Sequence, residues 1–132
     1  MMDPVAILHR CGVRPTPQRI AVVEFILGTT AHPSADQVLA GVKKTWPAIS
    51  RATVYNTLNL LVEKGLVTTQ ILREGTVVFD PIVAKHHHFI DEASGRIYDI
   101  PWEALRVSGT SALKGYDVRR FQVVLRGRRR GR

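Results

Sequence analysis

Cysteine is all but absent from this chain: Cys11 stands alone among 132 residues. One thiol excludes an intramolecular disulfide framework and every zinc site built on paired cysteines. The flanks of Cys11 match no known nucleophile, so a small buried hydrophobe is the expectation there. Long apolar runs are also missing. None approaches the roughly 18 residues needed to span a bilayer, and no signal-peptide pattern opens the chain; the expectation is a cytoplasmic protein with no membrane partner. There is no internal repeat and no Ser/Gly linker. Acidic residues are scarce, 11 against 19 Lys and Arg, which leaves a net charge of +8 and a sequence pI near 10.4. That excess points to an anionic partner. It is unevenly placed. Residues 1–80 carry eight basic and six acidic residues, for +2, and residues 81–132 carry eleven and five, for +6. Five of those eleven lie in the tail Arg126–Arg132, for which a solvated, disordered end is the expectation. Net charge therefore supports nucleic-acid binding only weakly.

What is present can build a core, since 45% of the residues are hydrophobic. Asp3 to Arg10 reads as one or two helical turns closed by Gly12. Thr16 caps a helix that starts at Pro17 and stops at Gly28. Ser34-Ala35-Asp36-Gln37 is a capping box, and Val38, Leu39 and Val42 give the next helix its apolar stripe before Pro47. Ser50 opens a third helix, with Val54, Leu58, Leu61 and Val62 at helical spacing and Gly65 at its close. Period-two patterns follow at Leu66–Leu72 and Thr76–Phe79, around the turn Arg73-Glu74-Gly75. Three helices and a hairpin describe a winged helix-turn-helix whose third helix is the recognition helix. Beyond a boundary near Asp80–Ala84, strands are expected at His86–Ile90 and Arg96–Ile100, a helix within Pro101–Lys114, and a last strand over Tyr116–Arg126. The fold class is thus α+β, with a winged-helix domain in residues 1–80 and a small α/β domain in residues 81–132. A unit of about fifty residues is too small to be comfortable alone, and its exposed strand edge invites a second copy of the chain.

On the third helix, Val54, Leu58 and Leu61 face inward, while Arg51, Tyr55 and Asn59 recur at steps of four on another face. That face offers a guanidinium for guanine or phosphate, a phenol, and an amide that can pair with adenine. Arg14 and Arg19 flank an earlier helix start, where backbone amides and cations favour phosphate. An ordinary amphipathic helix with a solvated polar face is the plain alternative. A second constellation is made of imidazoles and carboxylates. His86 and His88 are two apart, so on a strand they share a face; Asp99 joins them only if the hairpin pairs it with His88 or a residue of the same parity. His32 stands before a helix and Asp80 at the boundary. Three imidazoles and two carboxylates suit iron(II), manganese(II) or zinc, and the lack of thiolate argues against copper(I). Taken singly, each has a bland alternative as a surface or capping group, and Asp80-Pro81 as a turn.

The series Arg14-Pro15-Thr16-Pro17-Gln18-Arg19, His32-Pro33-Ser34-Ala35 and Ala52-Thr53-Val54-Tyr55-Asn56-Thr57-Leu58, in this order, resembles the ferric uptake regulators over nearly the whole chain. The resemblance implies a homodimeric repressor that binds inverted-repeat operator DNA. It places Arg14 near the minor groove and Tyr55 on the bases with Asn56 beside it. It also implies one regulatory ion held by His32, Asp80, His86, His88 and Asp99, tying the two halves together. Asn56, where founding members often carry arginine, resembles the peroxide-type and iron-response-type members alike, and aspartate at both carboxylate positions resembles the peroxide-sensing branch, in which bound iron(II) reacts with peroxide and a ligand such as His32 or His86 is oxidised. The run His86-His87-His88 resembles the iron response regulators, which sense haem, so iron and haem stay open as stimuli. Two features depart from the family. Asp91 and Ser94 occupy the places of a CxxC pair and the C-terminal pair is missing, so no structural zinc is expected; and His87 and Glu103 are the only remnants of a second ligand site. A metal-dependent enzyme using His86, His88 and Asp99 is a weak rival, for no nucleophile elbow, phosphate loop or zinc-hydrolase helix is present. A metal-independent winged-helix protein is the other.

Overall fold

The computed structural model describes residues 3–73 and 75–131. Glu74, expected in the hairpin turn, and Arg132, expected in the tail, lie outside the described residues. Backbone contacts divide the chain between Val83 and Ala84.

The first unit opens with α1 (Pro4–Arg10), α2 (Pro17–Leu27), α3 (Ala35–Lys43) and α4 (Arg51–Glu63). Each starts where a side-chain oxygen satisfies backbone donors that a helix leaves unpaired. Asp3 caps α1 and Thr16 caps α2, each with proline at the first helical position. Ser34 caps α3 reciprocally: its hydroxyl accepts the Gln37 N–H at 3.2 Å while the Gln37 carboxamide accepts the Ser34 N–H at 2.9 Å. Ser50 accepts the Thr53 N–H at 3.0 Å and so fixes the start of α4. Gly12 and Gly65, after α1 and α4, have φ of 78° and 74°, which glycine adopts without the clash a Cβ brings.

Ile7, Leu8, Val22, Val23, Ile26, Val38, Val54, Leu58 and Leu61 form the centre of one core. Strands β1 (Thr68–Arg73) and β2 (Thr76–Asp80) pair antiparallel, and Val67 and Phe79 join that core. The hairpin is thereby anchored by burial, as a wing must be to hold its position. No helix among the described residues is long and apolar enough to cross a membrane.

The second unit is a three-stranded sheet in the order β4-β3-β5, from β3 (His86–Asp91), β4 (Ile97–Pro101) and β5 (Val124–Gly127). β3 pairs antiparallel with β4 and parallel with β5. Two elements differ from expectation. In place of a helix within Pro101–Lys114 there are two short 3-10 turns, Trp102–Ala104 and Thr110–Ala112. Neither has a side-chain cap, Gly109 sits at φ 94°, and Val107 and Leu113 are exposed, so no apolar stripe is buried to stabilise a helix. The last strand is four residues long: Tyr116, Val118 and Phe121 lie outside it and exposed. The tail is exposed, yet Arg129 places its guanidinium 4.7 Å over the Tyr98 ring.

Candidate functional site

The outer side of α4 carries Arg51, Tyr55, Asn56 and Asn59, the residues expected to meet DNA, with Arg51, Asn56 and Asn59 exposed and Tyr55 half-buried. Val54, Leu58 and Leu61 are fully buried behind it. An acidic residue not anticipated in this role organises the face. The Asp36 carboxylate accepts both the Arg51 guanidinium and the Tyr55 hydroxyl, the latter at 3.0 Å. Arg51 also lies 5.7 Å over the Tyr55 ring. The Arg51 hydrogen bond, aided by Tyr55 and by Coulomb attraction, holds the Asp36 carboxyl below its ordinary range and raises the guanidinium in turn. Asp36 is legible in sequence only as part of the capping box; its contacts lie 15 and 19 residues away, beyond any local pattern. Arg19 reaches back, donating to the Arg14 carbonyl at 2.8 Å, while Arg14 itself is exposed. Arg19 and Asn56 line one open cleft of about 550 Å³ together with Thr16, Gln18 and Thr53.

Still in the first unit, His32 and Asp80 are brought together from loop and strand. The Phe79 N–H donates to the Pro33 carbonyl at 2.8 Å, stitching the lead-in of α3 to the end of β2. His32 Nε2 then lies 3.3 Å from Asp80 Oδ2, both residues almost fully buried. The other carboxylate oxygen accepts the Ile82 N–H at 2.9 Å, which fixes the carboxylate's orientation. His32 is the one non-glycine described residue with positive φ, 52°. A left-handed backbone is costly for a residue with a Cβ and persists where the surroundings enforce it, which is characteristic of ligand-holding positions.

In the second unit, β3 and β4 adopt the register on which the sequence reading depended: His88 stands opposite Asp99. His86 and His88 share a face, their rings edge to face at 4.6 Å. Their Nε2 atoms lie 3.5 and 3.8 Å from the same Asp99 Oδ1. The ligand atoms of the three residues lie within 4.8 Å of one another. Each ring is held by its other nitrogen, with His86 Nδ1 2.7 Å from the Ala84 carbonyl and His88 Nδ1 3.0 Å from the Gln122 carboxamide oxygen. Gln122 is a second residue the sequence reading missed, for nothing local marks a lone glutamine 34 positions downstream. Imidazole nitrogens aimed with a carboxylate at one point form a donor set for a borderline divalent ion.

The possible second ligand site is differently disposed. His87 faces away from its neighbours, is 1% exposed, accepts the Val123 N–H on Nδ1 at 2.9 Å, and stacks on Trp102 at 4.5 Å. Glu103 is exposed in a 3-10 turn, and the Lys85 ammonium lies 5.5 Å over the Trp102 ring. At the vacated cysteine positions, Asp91 accepts the Ala93 N–H at 3.2 Å and the Ser94 hydroxyl at 2.8 Å, and Ser94 accepts the Arg96 N–H at 3.2 Å. This turn is closed by a carboxylate and a hydroxyl, with no thiolate for zinc.

Comparison with known proteins identifies the family of the chain. A family model described as the ferric uptake regulator family matches residues 10–126. The peroxide operon regulator of Bacillus subtilis is 35% identical over 105 residues, covering 80% of this chain and 72% of that protein. The peroxide-responsive repressor PerR of Staphylococcus epidermidis is 33% identical over 103 residues, covering 78% and 69%. Among solved structures, the peroxide stress regulator of Campylobacter jejuni superposes with a TM-score of 0.63 at 27% identity, covering 97% of each chain. The manganese-bound ferric uptake regulator of Pseudomonas aeruginosa gives 0.70 at 20% identity, covering 98% of this chain and all of that one, a likeness of fold.

Proposed function

The chain belongs to the ferric uptake regulator family, and from that premise we propose that it is a metal-dependent, DNA-binding transcriptional repressor that senses peroxide through bound iron(II) or manganese(II). The reading rests foremost on one observation: two imidazoles of β3 turn Nε2 toward a single carboxylate oxygen of β4. The regulatory ion takes His86, His88 and Asp99 from the second unit and His32 and Asp80 from the first. Neither set alone fills the four to six positions a divalent first-row ion prefers, so one ion served by both is the economical assignment. The donor chemistry fits, with imidazole and carboxylate but no thiolate, and the enforced backbone of His32 fits a ligand position.

Bound iron(II) would supply the reactivity toward peroxide; the chain supplies the imidazoles of His32 and His86 as the groups beside it that oxidation can alter. With His32 and Asp80 belonging to the reading head, losing either side of the grip uncouples the head from the pairing body, and a two-state element loses its bias. The protein acts in the cytoplasm as a homodimer joined through residues 84–131, on inverted-repeat operator DNA read by Arg51, Tyr55, Asn56 and Asn59, with Arg14 and Arg19 on the backbone. It has no catalytic activity of its own. Burial of His87 under Trp102 disfavours that imidazole as a haem ligand.

The test is operator binding by apo, manganese-loaded and iron-loaded protein, each with and without peroxide. Tight binding is expected in both loaded forms and loss on peroxide in the iron form alone. Equal operator affinity of apo protein, loaded protein and His86→Ala would refute the reading. Loss of operator affinity on adding haem, with none on peroxide, would replace the stimulus.

A further inference from the structure

We propose that Gln122 is the positioning residue of the metal half-site: its carboxamide oxygen accepts the Nδ1–H of His88 and so holds the ring in the tautomer whose Nε2 faces Asp99 with a lone pair to give. This rests on the metal-binding reading above and adds to it a residue outside the ligand set. A neutral imidazole carries one N–H, and whichever nitrogen donates leaves the other as the acceptor or ligand. For His86 the choice is forced, because Nδ1 lies 2.7 Å from the Ala84 carbonyl, which only accepts. His88 has the same arrangement through a side chain: Nδ1 is 3.0 Å from Gln122 Oε1, and Nε2 is turned to Asp99 Oδ1 at 3.8 Å. Both rings thus present the same atom to the same carboxylate oxygen, one held by main chain and one by Gln122.

The surroundings give Gln122 leverage. The His88 N–H donates to the Val123 carbonyl at 3.1 Å, and the Val123 N–H donates to His87 at 2.9 Å. The residue after the glutamine is therefore bonded to β3 through both its N–H and its carbonyl, and the Gln122 carboxamide has a fixed base from which to reach His88. Gln122 is exposed as a residue whereas His88 is fully buried. Replacing the glutamine removes no core packing, so its effect will be felt at the imidazole. An outer partner that fixes a ligand ring and raises its basicity is typically worth about 10–100-fold in metal affinity.

The experiment titrates manganese(II) or cobalt(II) into the full-length protein and its Gln122→Leu, Gln122→Glu and His88→Ala variants. In parallel, the His88 tautomer is read in metal-free protein from long-range proton–nitrogen correlations. Wild type is expected to show Nδ1–H at His88. Gln122→Leu is expected to lose that preference and to weaken metal binding about 10–100-fold, with its melting temperature near wild type. Gln122→Glu, which keeps an acceptor and adds charge, is expected to match or exceed wild-type affinity. An Nε2–H tautomer at His88 in the wild type, or wild-type affinity in Gln122→Leu, overturns the proposal. His88→Ala separates the two levels. If it binds metal like wild type, His88 is no ligand and the functional reading itself is wrong; if it loses binding while Gln122→Leu does not, only the role of Gln122 falls.

Discussion

Asp36 does two things with one carboxylate. In the first turn of α3 it complements the positive end of the helix dipole, and it accepts Arg51 and Tyr55 from the exposed side of α4. Because its folded pKa is depressed, its contribution is present above the ordinary carboxylate range and is lost as pH falls through the lowered value. At neutral pH the clasp is therefore fully formed, though its exposure to solvent keeps it weak. Asp36→Asn releases Arg51 for phosphate. Binding to non-operator DNA should tighten, with the salt dependence steepened by about 0.9 for one more phosphate contact. Fluorescence anisotropy across a salt series checks this, and an unchanged slope would show that Arg51 makes no backbone contact. At this scale the sequence was uneven. His86 and His88 on one strand face follow from alternation alone, whereas Asp36 and Gln122 act over long sequence separations and leave no local trace.

Caps were the most legible feature among the elements, because the chemistry of a helix start is written in adjacent residues. Thr16, Ser34 and Ser50 each bond the backbone N–H three positions on. Ser50→Ala should destabilise the first unit by about 1 kcal/mol, measurable by urea denaturation and expected to weaken operator binding too, since α4 then frays where it reads. The expected helix within Pro101–Lys114 failed for a physical reason: the segment offers Trp102, Leu105, Val107 and Leu113, but with Val107 and Leu113 exposed no apolar surface is gained by coiling. The turn at Asp91–Gly95 shows a different economy. Asp91 is fully buried, and its carboxylate holds Ala93 and Ser94 with hydrogen bonds, so the turn closes on side chains alone. Asp91→Ala should cost about 1–3 kcal/mol through donors left unsatisfied, while a zinc chelator should leave the circular dichroism spectrum of the protein as purified unchanged. A chelator-induced loss of strand signal would show that zinc is bound after all.

Across the whole molecule, burial is lopsided. Every residue of the apolar core cluster belongs to the first unit, whereas the second buries Ile90 and Ile97 beside His87, His88 and Asp91. Leu113, Tyr116, Val118 and Phe121 remain exposed there. A unit so thinly packed draws its stability from a partner, so the melting temperature should rise with protein concentration. Phe121→Glu should shift the protein toward monomer in sedimentation and lower operator affinity, and a concentration-independent melt would count against pairing through this unit. The sequence reading set a boundary near Asp80–Ala84, because the change from helix and wing to strand patterns is visible there. It could state the pairing of His88 with Asp99 only as a condition, since register is set by the turn between strands and by the β5 neighbour, neither of which alternation encodes.

The strand order β4-β3-β5 has a temporal consequence. β5 and the Gln122–Val123 lead-in leave the ribosome after every other described element, while the helical head has long since had its whole sequence available to fold. During translation the head can fold before the clamp on His87 and His88 exists, so a nascent or C-terminally clipped chain has a folded head without a finished metal site. Proteolysis at this late strand would release the support of His88 and leave a folded head that no ion can lock onto its operator.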